Sequence, residues 1–152
     1  MGSEAAALLE AADFAARKHK GQRRKDPEGT PFINHPIEDT DTSFSEIEEL
    51  FGAEVRRVVE EVTDDKTLPK AERKRLQVER AAGSSPRAKL VKLADKLYNL
   101  RDLNRCTPEG WSSERVQEYF RWAARVAAGL RGTSPPLEAA LRRLLGERGL
   151  AL

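Results

Sequence analysis

The sequence predicts an all-α fold, and three observations predict it. Apolar residues recur at helical spacing along most of the chain, capping and stopping residues bracket those stretches, and no period-2 run of the kind a half-buried strand needs is present. At 152 residues the chain can bury one hydrophobic core, so residues 1–152 are expected to form a single domain. No internal repeat or low-complexity tract divides it.

Taken in order, Ser3 caps a first helix running to about Lys18, with Leu8, Leu9, Ala12, Ala15 and Ala16 inward. The loop HKGQRRKDPEGTPFINHP follows, with Arg23, Arg24 and Lys25 in a row. Such a triplet is either a solvated face or a phosphate clamp, because guanidinium forks and ammonium charges both suit phosphate oxygens. Asn34-His35-Pro36 closes the loop, and a lone loop histidine reads either as structural or as a ligand. Glu38, Asp39 and Asp41 then lie close together. Ser43 with Glu46 has the spacing of a capping box for a short helix that Gly52 ends. Glu54 to Val62 forms an amphipathic helix with Val55, Val58, Val59 and Val62 inward. After the loop TDDKTLP, the segment KAERKRLQVERAA is a very polar helix held by salt-bridge spacing more than by an apolar face. Its glutamates interrupt the basic run and no aromatics accompany it, which separates it from a nucleic-acid-binding arm.

The most informative stretch is Lys89 to Leu103, KLVKLADKLYNLRDL. Leu90, Leu93, Leu97 and Leu100 make one apolar stripe with Ala94 beside them, and Ser85 before Pro86 marks the helix start. Asp95 sits inside this core-seeking helix with Asn99 one turn later on the same face. A carboxylate in such a place is costly unless paired, hydrogen-bonded or bound to a metal, so Asp95 is either a helix-surface residue pairing with Lys92, Lys96 or solvent, or a metal ligand. Residues 105–110 turn the chain, and Trp111 precedes a Ser112 cap and can staple onto Val116. That helix runs through Tyr119, Phe120, Trp122, Ala123 and Val126 to a stop at Gly129 or Gly132. Ser134 with Pro135 opens a last helix, ended by Gly146 or Gly149.

The balance of 27 basic and 25 acidic side chains gives a net charge of +2, so no strong global field draws the chain to nucleic acid or a membrane. One cysteine, Cys106, forbids an internal disulfide and suits a reducing compartment. No signal peptide and no bilayer-spanning stretch is present, so the expectation is a soluble, cytoplasmic protein.

Several of these pieces occur together in one order: RRKDPEGTPFINHP, EDTDT, VTDDKTLPKAERK, KLVKLADKLYNLRDL and the RVQEYF helix. On them the chain resembles the HD-domain hydrolases related to the bacterial stringent-response enzymes, and most closely their small metazoan branch. The resemblance covers essentially the whole chain. It implies an all-helical HD-domain fold around one Mn²⁺ and removal of the 3′-pyrophosphate of guanosine tetra- and pentaphosphate. For metazoan members it also implies removal of the 2′-phosphate of NADPH. His35 of the NHP motif and Asp95 of ADKLYN match metal ligands. Glu38 and Asp39 match the acidic pair that orients and deprotonates the attacking water. Arg24 and Lys25 match basic residues near the substrate, and Lys70, Asn99, Arg115 and Tyr119 match the nucleotide pocket.

The chain also departs from this pattern. The family takes its name from a His-Asp dipeptide that supplies two further ligands, but the two histidines here are followed by Lys20 and Pro36. Ile37 runs straight into Glu38, where relatives carry about two helices, roughly 25 residues. The clean join points to an alternatively spliced or mispredicted product. Metal binding and turnover are then expected to be severely reduced, because open catalytic sites generally use three or more protein ligands. Loss of about six large apolar side chains, at ~1.5–3 kcal/mol each, is on the order of a domain's whole stability and predicts a loosened core. The alternative function is a non-catalytic product that binds nucleotide through Arg24, Lys25, Lys70 and Arg115, or that associates with the full-length form.

Overall fold

The computed structural model of the chain describes residues 41–152; the expected Ser3–Lys18 helix, the basic triplet and the NHP turn lie outside the described residues. Six α-helices fill the described part: α1 (Phe44–Phe51), α2 (Ala53–Val62), α3 (Lys70–Arg80), α4 (Pro86–Arg105), α5 (Ser113–Ala128) and α6 (Pro135–Gly146). No strand occurs among the described residues, as the missing period-2 pattern predicts. No helix among them is long and apolar enough to cross a membrane. Contacts divide the chain into two compact units that meet in sequence at Asp64 and Asp65.

In the first unit, Ser43 Oγ accepts a hydrogen bond from the Glu46 amide at 3.1 Å and starts α1. Gly52, at φ 91, reverses the chain within one residue, a conformation that favours glycine because it has no Cβ. Arg56 then ties α2 back to α1, with Nη1 2.6 Å from Glu48 Oε2 and Nε 2.8 Å from Glu60 Oε1. Ile47 is buried, but no residue of α2 is. The valine stripe of α2, expected inward, is half-buried.

In the second unit, α4 packs on α5 and α6 while α3 packs on α5. Leu93, Leu97, Leu100 and Leu103 of α4 meet Val116, Phe120 and Val126 of α5 and Leu141 and Leu145 of α6 in one buried cluster. Each such side chain contributes about 1.5–3 kcal/mol by leaving water. The expected stripe on α4 needs correction at two positions. Leu90 is 46% exposed and Ala94 is also exposed, while Lys96 and Leu103 are buried. The physical reason is helical winding: with 3.6 residues per turn, Leu90 and Ala94 fall on the flank of the Leu93–Leu97–Leu100 row opposite Lys96 and Leu103. Leu50, Leu90 and Val91 are the large hydrophobic side chains left exposed among the described residues.

The expected starts of α4 and α5 are found, with Ser85 Oγ accepting from the Ala88 amide at 3.3 Å and Ser112 Oγ from the Arg115 amide at 3.1 Å. At α6 the cap differs from expectation. Ser134 makes no side-chain cap bond; Glu138, one turn in, reaches back to accept from the amides of Thr133 at 2.9 Å and Ser134 at 3.3 Å. Gly149, at φ 72, follows α6, and the residue before it lies on α5. There Gln117 Nε2 donates to the Arg148 carbonyl at 3.2 Å, and the Arg148 guanidinium lies 4.2 Å from the Phe120 ring centre.

Where α5 ends, it runs close against the end of α3. A Cβ built on Gly129 would lie 2.7 Å from Ala81 Cβ and 3.1 Å from the Ala82 amide nitrogen, whereas one on Gly146 would meet nothing within 4 Å. Ala81 is fully buried and one of these contacts is backbone, so neither neighbour yields cheaply. Gly129→Ala is therefore expected to lower unfolding stability by about 1–3 kcal/mol in denaturant titrations, while Gly146→Ala changes it little.

Candidate functional site

The polar chemistry of the second unit starts at α4. Asp95 has a side chain only 15% exposed, and its Oδ2 accepts from Lys96 Nζ at 3.0 Å. The Lys96 side chain is 6% exposed, an unusual depth for an ammonium. The Asp95 carboxylate helps to hold it there, as does the Trp122 ring, whose centre lies 4.6 Å from Nζ. Asn99, one turn beyond Asp95, is half-buried. Of the partners expected for Asp95, Lys96 is found, and it is buried rather than on the surface.

Trp122 links this pair to a second cation. Lys74 of α3 places its Nζ 4.9 Å from the Trp122 ring centre and 5.5 Å from that of Tyr119. The indole Nε1 donates to the Lys74 carbonyl at 3.1 Å, which fixes the ring against α3. Tyr119 meets Trp122 edge-on at 5.3 Å and Trp111 at 6.1 Å, and the Arg115 guanidinium stacks 4.0 Å over Trp111. Trp111 thus caps the entry of α5 through Arg115 and Tyr119 as well as by its position before Ser112.

Burial pushes the Lys74 ammonium below its ordinary value, and Lys70, Arg115, Lys96 and Arg125 each push it further the same way. Charge is sorted by helix face to produce this. On the outer side of α3, Arg75 bonds both Glu72 and Glu79, the latter at 2.8 Å. On the side facing α5, Lys74 lies against two aromatic rings, with Lys70 one turn before it on the helix. The arrangement can hold an anion near flat aromatic surfaces, which is what a phosphorylated nucleotide presents.

Of the residues expected at the site, Lys70, Arg115 and Tyr119 are gathered around Lys74, and Asp95 joins them through Lys96 and Trp122. Arg24, Lys25, His35, Glu38 and Asp39 lie outside the described residues. Sequence reasoning offered Lys96 as a partner of Asp95 but missed Lys74 and Trp122 as members of this cluster. The signal was available in spacing, since Lys74 is one turn from Lys70 and Trp122 nearly one turn from Tyr119. For a metal, no group of three or more His, Cys, Asp or Glu among the described residues is placed to hold one. The donor set described, Asp95 engaged by Lys96, does not by itself fit a centre with three protein ligands.

Residues 35–121 match the HD domain family. Over its whole length the chain is 65% identical to guanosine-3′,5′-bis(diphosphate) 3′-pyrophosphohydrolase MESH1 of Homo sapiens, with 100% of both chains covered. The protein of the same name from Drosophila melanogaster is 49% identical, with 95% of this chain and 96% of that one covered. A solved structure reported under the words "A metazoan ortholog of SpoT hydrolyzes ppGpp and plays a role in starvation responses" aligns with a TM-score of 0.89 at 48% identity, covering 95% of this chain and 97% of that chain. Helices α1 to α4 and the first half of α5 thus lie within an HD domain. Within that class, the chain belongs to the family of metazoan relatives of the bacterial stringent-response hydrolases. The alignment with the human relative runs over 179 positions against 152 residues here, so 27 of its positions have no counterpart in this chain.

Trp122 is the part on which the cluster turns, since it touches both cations and bonds α3. Trp122→Phe keeps an aromatic face but removes the bond to the Lys74 carbonyl. Denaturant unfolding should show a loss of about 1–2 kcal/mol, and an unchanged midpoint would mean that the indole bond contributes nothing.

Proposed function

We propose that this chain is a single, shortened HD hydrolase domain over residues 1–152, of guanosine-3′,5′-bis(diphosphate) 3′-pyrophosphohydrolase descent, with severely reduced turnover of its own. Support for the substrate comes from the relatives, 65% and 49% identical, that carry this activity in their names. The observation that carries the reduced turnover is in the sequence. Two histidines, neither followed by Asp, leave the His-Asp pair of ligands without a source, and 27 positions of the human relative are missing.

Arg24, Lys25, Lys70 and Arg115 neutralise the phosphate groups of the nucleotide, and Asn99 and Tyr119 line its pocket. Glu38 and Asp39 orient the attacking water and take its proton. His35 and Asp95 are the ligands this chain keeps for the Mn²⁺ of its relatives; when bound, that ion lowers the pKa of water and polarises a phosphoryl oxygen. Two ligands do not match the three or more that open catalytic centres use, so binding of the ion is weak here. NADPH, through its 2′-phosphate, is a second substrate of the same site, the setting is cytoplasmic, and nucleic acid and membranes are not partners.

The intact cation and aromatic cluster of α3 and α5 favours a second reading: a non-catalytic, splice-type product that binds nucleotide or pairs with the full-length form. Calorimetry with guanosine tetraphosphate and with the full-length protein separates the two activities. For the main reading, hydrolysis of guanosine tetraphosphate and of NADPH by the purified chain with Mn²⁺ should run at least about 100-fold below the human relative. Insertion of the relative's missing segment between Ile37 and Glu38 should restore it. A rate near that of the relative without the insertion would refute the proposal.

A further inference from the structure

Lys74 is half-buried on α3 with Lys70 one turn before it and Arg115 approaching from α5, and its ammonium lies against two aromatic rings. The nearby carboxylates of α3 are committed elsewhere, Glu72 and Glu79 both to Arg75. Asp95 is bonded by Lys96. Cations crowded in this way repel one another, and ring faces offset only part of that, about 0.5–2 kcal/mol for each contact. A multiply charged anion relieves the repulsion of all of them together.

From this geometry we infer that Lys74, with Lys70 and Arg115, forms a diphosphate subsite that takes the nucleotide's 5′-diphosphate, the group that is not cleaved. Three cations match the roughly threefold charge of a diphosphate at neutral pH. Trp122 sets the spacing to the reacting end, because the same ring that carries Lys74 also carries Lys96, and Lys96 bonds Asp95. Tyr119 and Trp111 provide the flat surface beside the cations. Lys74 is thereby a binding residue that selects nucleotides with a diphosphate away from the scissile group. The identity of that group rests on the proposed function; the anion subsite itself does not.

The test compares GDP with guanosine by calorimetry on the full chain, since GDP carries the 5′-diphosphate and no 3′ group. GDP should bind at least 10-fold more tightly than guanosine, and the preference should weaken steeply with salt. Lys74→Met keeps an apolar stem over Trp122 and should abolish the preference, while Lys74→Arg should retain it. A preference that survives in Lys74→Met, or the absence of GDP binding, would overturn the subsite. If Lys74→Met fails to fold, amine acetylation of the unaltered chain decides: GDP should protect Lys74 but not the exposed Lys66, and equal modification with and without GDP overturns the proposal. Turnover is read separately. A GDP preference without tetraphosphate hydrolysis leaves the subsite standing, and hydrolysis with an indifferent Lys74 sinks the subsite alone.

Discussion

Everything in the described site depends on one placement, a buried lysine beside a largely buried aspartate in a helix whose adjoining edge is leucine. Lys96 and Asp95 are neighbours in sequence, and their 3.0 Å bond would be worth little on a surface. Below the surface it becomes a requirement, because a lone charge at that depth costs several kcal/mol. The leucine row Leu93–Leu97–Leu100 anchors the helix, and the pair beside it then has a fixed position. Trp122 extends that order outward, since its ring touches Lys96 on one hand and Lys74 on the other.

The opposite faces of α3 show how a very polar helix can serve two ends. Glu72, Arg75 and Glu79 settle their charges among themselves on the outside. Lys74 remains for α5, where rings rather than acids receive it, and Lys70 precedes it by one turn. A helix read as polar throughout is therefore directional. Its acids stabilise the helix and its bases on the other side form the anion-attracting surface, with Lys74 lowered from its ordinary value first by burial and then by four other cations.

Much of this was legible in the sequence, and the failures have physical causes. Ser43, Ser85 and Ser112 were readable as caps because a hydroxyl before a helix satisfies an amide that otherwise has no partner. Ser134 looked the same, but Glu138 took the role from inside the helix, a longer-range choice that spacing does not reveal. Leu90 and Ala94 were placed inward because spacing alone gives a stripe without its centre; packing against α5 and α6 sets that centre at Leu93–Leu100 and turns the flank out. Lys70, Asn99, Arg115, Tyr119 and Asp95 came from motif likeness. Lys74 had no such motif and Lys96 was read only as a partner of Asp95; what singles them out is burial and the approach of rings from another helix, a tertiary property. The expected roles of Arg24, Lys25, His35, Glu38 and Asp39 fall outside the described residues.

The family and the chain's length pull in different directions. Helices α1 to α4 and the start of α5 lie within an HD domain, and the chain lacks 27 positions of its human relative. In the proposed reading those positions carried the His-Asp ligands, so that cations and aromatic surface for a nucleotide remain while the centre that activates water does not. Native mass spectrometry of the purified chain in excess Mn²⁺ addresses that claim directly. The account predicts a spectrum dominated by metal-free chain; a dominant species carrying one Mn²⁺ per chain would contradict it.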